Sequence, residues 1–106
     1  MDMDGCRIDF GSIEWESPLR GVRFKKFTSG KKQVRLVEYS KEFIEPDWCM
    51  KGHSGWIISG EMEIDFNGDP VRYKPGDGIF IPPGDGHKHK AKILSDNALV
   101  FLVEDV

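Results

Sequence analysis

From Asp47 to His89 the chain reads DWCMKGHSGWIISGEMEIDFNGDPVRYKPGDGIFIPPGDGHKH, and this stretch decides the fold. Short apolar runs, Trp56-Ile57-Ile58, Met62-Glu63-Ile64, Val71-Arg72-Tyr73 and Ile79-Phe80-Ile81, alternate with Ser59-Gly60, Asn67-Gly68-Asp69, Lys74-Pro75-Gly76-Asp77 and Pro82-Pro83-Gly84. Such spacing of β-favouring residues by turn formers is the pattern of an all-β sandwich or barrel. Asn67-Gly68 is the strongest hairpin signal, because both central residues of a type I′ turn need positive φ. All three histidines and one of the two cysteines of the chain fall inside the same stretch, at the borders of its strand-like segments. Imidazole and thiolate are common transition-metal ligands, so their gathering there raises the question of a shared pocket.

Working outward, further strands are expected over 22–27, 33–40, 47–50, 54–59, 61–66, 70–74, 78–82, 87–94 and 98–104. An irregular amino-terminal arm precedes them to about Pro18. No segment keeps a 3.6-residue apolar period, so helix is expected to be nearly absent apart from a short turn near Glu14-Trp15-Glu16. The domain reading is an arm over 1–20 and one β-barrel over 21–106. A length of 106 residues suits a single core.

Two motifs resemble those of the cupin superfamily. Ile81-Pro82-Pro83-Gly84 followed by Asp85-Gly86-His87 matches that family's PxGxxH. The segment before Trp56-Ile57-Ile58-Ser59-Gly60 is in frame with its HxHxxxE, but Asp47 and Cys49 stand where the two histidines fall and His53 stands where the glutamate falls. The resemblance covers roughly residues 33 to 104. It implies a double-stranded β-helix, or jelly-roll, barrel, and it leaves the chemistry open, because cupins include dioxygenases, isomerases, storage proteins and ligand sensors.

Alternation along a strand through 87–94 places His87, His89 and Ala91 on one side and Lys88, Lys90 and Lys92 on the other, with the lysines in solvent and both histidines inside. The same parity puts Asp47 and Cys49 inside and Trp48 and Met50 outside. A metal site is therefore expected from Cys49, His53 and His87, completed by Asp47 or His89. Thiolate, imidazole and carboxylate together suit a divalent transition metal such as Zn²⁺, Fe²⁺, Ni²⁺ or Co²⁺. Each residue also has a plainer reading: Cys49 as a small buried apolar group, His53 as a loop residue beside Gly52 and Gly55, Asp47 after Pro46 as a turn acceptor. Glu61 and Glu63 read as a solvated outer face, and Asp77 and Asp85 as turn residues.

Two function classes follow. One is a small metal-dependent enzyme, a dioxygenase or isomerase acting on a small organic molecule, with His89 as a proton carrier. The other is a non-catalytic module that binds or senses a small molecule. A net charge of −3 gives no general reason to bind nucleic acid. The basic stretch Arg20, Arg23, Lys25, Lys26, Lys31, Lys32 and Arg35 alternates with Val22, Phe24, Phe27 and Val34 and reads as a solvated hairpin face.

No apolar run is long enough for a membrane span, and Met1-Asp2-Met3-Asp4 is unlike a secretory leader, so a cytoplasmic protein without membrane partners is expected. In that compartment Cys6 and Cys49 need not pair. A homodimer is expected, with outward Trp48 and Met50 covered by a second copy and Ile8, Phe10 and Ile13 of the arm pairing at a sheet edge.

Overall fold

The computed structural model describes residues 3–106. Nine strands form two antiparallel sheets: β1 (Glu16–Leu19), β2 (Val22–Ser29), β3 (Lys32–Ser40), β4 (His53–Ser59), β5 (Met62–Asp65), β6 (Pro70–Tyr73), β7 (Gly78–Ile81), β8 (Lys90–Ile93) and β9 (Asn97–Asp105). The larger sheet runs β1-β2-β3-β9-β4-β7 and the smaller β6-β5-β8. From β4 onward the chain passes to the small sheet for β5 and β6, back for β7, across for β8 and back for β9. That repeated crossing is the winding of a jelly roll, as the sequence led us to expect.

Alternation decides what lies between the sheets. On β9 every second residue, Ala98, Val100, Leu102 and Glu104, is buried. Their cross-strand partners on β3 and β4 share that inner face, Val37 and Ile57 both lying opposite Val100. Met62, Ile64 and Ile93 of the small sheet and Ile79 and Ile81 of β7 close the core against them. Asn67 and Gly68 both have positive φ in the β5–β6 turn, so that hairpin forms as its sequence requires.

Four local expectations need correction. Residues 47–50 form no strand, only an isolated bridge between Cys49 and His89, because Pro46 offers no N–H and the chain joins its neighbour only at Cys49. The segment 87–94 is not one strand: Asp85–His87 is a 3-10 turn and β8 starts at Lys90. The arm carries 3-10 turns at Met3–Cys6 and Phe10–Ser12, and then β1 pairs with β2. Residues 14 and 15 are not in a turn. Among the described residues there is no α-helix, and none that is long and apolar enough to cross a membrane.

Candidate metal centre

The site lies at one end of the barrel's inner face, where alternation runs past the apolar core into ionisable groups. Parity continues from Ile57 through Gly55 to His53 on β4, and from Leu102 to Glu104 on β9. β4 and β9 lie unusually close, for a Cβ on Gly55 would fall 1.8 Å from the carbonyl oxygen of Phe101. Glycine there lets β4 seat against β9 and brings His53 beside Glu104, with Nδ1 2.6 Å from Oε2. Glu104 also takes a two-pronged contact from Arg35 on β3, Nε to Oε1 at 2.6 Å and an NH2 nitrogen to Oε2 at 2.7 Å. Arg35, Glu104 and His53 therefore form a continuous chain of charge-assisted hydrogen bonds along the inner face.

With Nδ1 held by Glu104, His53 turns Nε2 toward Cys49 Sγ, 3.5 Å away. The third member arrives through the backbone. Cys49 and His89 exchange both main-chain hydrogen bonds, at 2.8 and 2.9 Å, and this bridge sets their side chains next to each other. His89 is 4% exposed, and its Nδ1 lies 3.0 Å from the carbonyl oxygen of His87. That carbonyl is an acceptor only, so Nδ1 carries the proton and Nε2 is left for a ligand. One ligand atom from each of Cys49, His53 and His89 lies within 4.8 Å of the other two.

The electrostatics follow from this packing. The contact with His53, and then that with His89, outweighs burial and brings the Cys49 thiol down to about 5. Burial works against a charged His53, yet Cys49 and Glu104 outweigh it and lift the imidazole to about 9. Burial would raise Glu104, but hydrogen bonds from His53 and Arg35 hold it down at about 2. For His89, burial is outweighed by Cys49 and the His87 carbonyl, so its pKa is raised. Metal-free, the cluster is a thiolate and an imidazolium backed by a carboxylate and a guanidinium.

Of the five residues expected as ligands, the fold brings together Cys49, His53 and His89. Asp47 and His87 are exposed and lie outside this group. The expectation that His87 faces inward with His89 fails because parity holds only along a continuous strand, and His87 belongs to the 3-10 turn. What His87 contributes is the carbonyl that orients His89. Trp48 is half-buried under the ammonium groups of Lys88 and Lys90, 5.7 and 5.0 Å from its ring centroid.

Arg35 and Glu104 were missed as site residues. Reading the basic stretch as a solvated face holds for Arg20, Arg23 and Lys32, which pair with exposed Glu42, Glu38 and Asp105. It fails for Arg35, which points inward with Val37 and Tyr39. The signal was available on β9: a carboxylate two residues beyond Leu102, on the buried face, must find a partner.

A small interior cavity of about 50 Å³ touches His53 and His89, with Tyr39, Glu45 and apolar residues of the core. Burial raises the carboxyl of Glu45, whose Oε1 accepts the N–H of Ala91, and pushes the Tyr39 hydroxyl up to about 12. A wider cleft of about 720 Å³ is lined by residues including Phe24, Lys26, Arg35, Met50, Lys51 and Glu104. Its size falls in the range of small-molecule sites, but of these two it is the small cavity that is lined by His53 and His89.

The comparisons agree with this architecture. The cupin domain model matches residues 51–103, half of the chain. KdgF from Halomonas sp. is similar in structure with a TM-score of 0.73 at 20% identity, over 87% of this chain and 84% of that one. An RmlC-like cupin from Shewanella frigidimarina superposes with a TM-score of 0.72 at 13% identity, covering 92% and 87%. A cupin-superfamily sugar phosphate isomerase from Silicibacter pomeroyi gives 0.74 at 17% identity, covering 94% and 75%. No curated protein sequence matches the chain. At these identities the structural neighbours speak for the fold alone, and together with the family match they establish that this chain belongs to the cupin superfamily.

Proposed function

We propose that this cupin holds one divalent transition metal through Cys49 Sγ and the Nε2 atoms of His53 and His89, and uses it to handle a small molecule. The observation that carries this reading is the second layer behind the ligands. Metal-binding histidines characteristically give their other ring nitrogen to a carboxylate or a carbonyl, and here Glu104 and the His87 carbonyl stand at those positions. One thiolate and two imidazoles suit Zn²⁺ first, then Fe²⁺, Co²⁺ or Ni²⁺. Three protein ligands are the pattern of a catalytic site, while structural zinc sites are closed by four. When bound, the metal supplies Lewis acidity. Glu45, with its carboxyl raised by burial beside the same cavity, is the group fitted to hold and release a proton there.

A second reading rests on a different aspect of the same geometry. Cys49, His53 and Glu104 form a nucleophile, base and orienting acid in series, which without metal is an activated thiolate. Elemental analysis of protein purified without an affinity tag or chelator separates the two. About one equivalent of metal supports the first reading. Less than about a tenth of an equivalent, with no uptake of added Zn²⁺, Fe²⁺, Co²⁺, Ni²⁺ or Mn²⁺, removes it. Turnover on panels of phenols, thiols and keto acids then distinguishes an enzyme from a binding or sensing module.

A further inference from the structure

The wider cleft is lined by three cations, Lys26, Arg35 and Lys51, and by two carboxylates, Glu104 and Asp105, which leaves an excess of one positive charge. Both carboxylates are already engaged. Glu104 accepts from Arg35 and faces His53, and Asp105 lies 2.7 Å from the Lys32 ammonium. The cations are less fully matched. Lys26 lies directly across from Arg35, on the face of β2 where alternation otherwise places Val22 and Phe24. Its ion pair is a 4.0 Å contact with Glu16 in which both side chains are half-exposed, a pairing of little worth in water. The Lys51 ammonium has no ion-pair partner among the described residues.

Arg35 is the preorganised member. A guanidinium carries five N–H donors in a rigid plane, and Glu104 takes the edge formed by Nε and one terminal nitrogen. The other terminal nitrogen makes no hydrogen bond to a described residue. Among the described residues no buried side-chain nitrogen or oxygen lacks a partner, so this one is reached by solvent rather than sealed in. The group cannot swing away to find an anion elsewhere, because Glu104 grips its edge and the Phe24 ring lies under it, 5.2 Å from centroid to guanidinium carbon. A fixed guanidinium with an open end is a ready fork for a second carboxylate. Phe24, packed on the core, and Met50, half-open to solvent, give the same cleft apolar walls.

We propose that the wider cleft binds a small organic monoanion, a carboxylic acid with an aryl or alkyl body. The carboxylate takes the open end of Arg35 with Lys26 and Lys51 beside it, and the body lies against Phe24 and Met50. The charge balance selects this class: one carboxylate matches the single excess positive charge, whereas a phosphate monoester would leave a negative charge uncompensated. The cleft borders the metal centre without using its ligands. Met50-Lys51-Gly52 runs from Cys49 to His53, and Glu104 both grips Arg35 and orients His53. Binding of the acid therefore does not depend on the metal reading.

Amide NMR titration of the full chain with phenylpropionate, benzoate and hexanoate, before and after chelator treatment, tests this. At least one acid should saturate with a Kd of about 1 mM or below, shifting amides of residues 24–26 and 50–52, and doing so equally with and without chelator. Uncharged phenylpropanamide should bind about 10-fold more weakly than phenylpropionate. Lys51→Glu and Lys26→Glu, both at exposed positions, should each raise the Kd of the acid by about 10-fold or more. Lys41→Glu, the same charge change beside a different cavity, should leave it unchanged. The inference is overturned if no acid saturates by about 10 mM, if the amide or phenyl phosphate binds as tightly as the acids, or if both glutamate variants keep the parent Kd. Binding that disappears with the chelator would place the acid on the metal and overturn it as well.

Discussion

The two ends of the barrel's inner face are made by the same three strands and the same alternation, yet they do opposite things. At one end Val37, Ile57 and Val100 meet as apolar side chains, buried to 1% exposure. At the other, two to four residues further along the same strands, Arg35, His53 and Glu104 meet as ions. The apolar end is held by dispersion and exclusion of water, which tolerate small changes in shape. The polar end is held by partner geometry, in which every buried group depends on the next. A β-strand thus carries an apolar core and a cluster of ionisable groups on one face simply by changing side-chain type along its length.

The contrast predicts different responses to loss of a side chain. Glu104→Ala should have the largest effect: it leaves Arg35 and His53 buried without their carboxylate, at a cost of about 3–5 kcal/mol in urea denaturation of the metal-free protein. Replacing both partners of the ion pair by apolar residues, as in Arg35→Met with Glu104→Leu, should cost clearly less than Glu104→Ala alone, because no orphaned charge remains. Equal cost for the single and double variants would show that the network behaves like the core. At the apolar end, Ile57→Ala should cost about 2–5 kcal/mol and leave metal affinity per folded molecule unchanged.

Glu104→Gln is a gentler probe, since it keeps the shape and removes the charge behind His53. It should weaken metal retention about 10–100-fold in a chelator competition while leaving the far-UV spectrum as in the parent. An unchanged affinity would mean that Glu104 does not orient a ligand.

The pH dependence also separates the two ends, because only one titrates. Glu104 is depressed from 4.5 to about 2, so its stabilisation is present above 4.5 and is lost as pH falls toward 2. Cys49 is depressed from 9.0 to about 5, a contribution that grows from pH 5 to 9. His53 is raised from 6.5 to about 9, so its contribution is full below 6.5 and is lost as pH rises to 9. Metal-free protein should therefore gain stability from pH 2 to 4.5. Above 4.5 the growing thiolate contribution is opposed first by Glu45, whose pKa is raised, and above 6.5 by both His53 and His89, whose pKa values are raised as well, so no steady gain continues toward pH 9. Urea midpoints that rise steadily from pH 6.5 to 9 would contradict the Cys49–His53 pairing.

The parts of the fold legible in sequence were those governed by nearest neighbours: the turn at Asn67-Gly68, the alternation of Met62 and Ile64, the glycine and proline punctuation before His87. Cys49, His53 and His89 could be named as candidates because histidine and cysteine are scarce and fall near the motifs. Choosing among the five candidates required backbone that the local pattern does not specify. The bend through Pro82-Pro83-Gly84 into the 3-10 turn breaks the parity that would have turned His87 inward, while a single bridge delivers Cys49 to His89. Arg35 and Glu104 lie 69 residues apart, and only the β3–β9 register joins them.

X-ray absorption on protein loaded with one equivalent of Zn²⁺ tests the central claim most directly, because it reads the donor atoms themselves. The proposed site calls for a shell with one sulfur at about 2.3 Å and imidazole nitrogens at about 2.0 Å, the sulfur vanishing in Cys49→Ser. A zinc shell of nitrogen and oxygen alone in the parent, or stoichiometric binding of undiminished affinity in Cys49→Ser, would contradict a metal held by Cys49, His53 and His89.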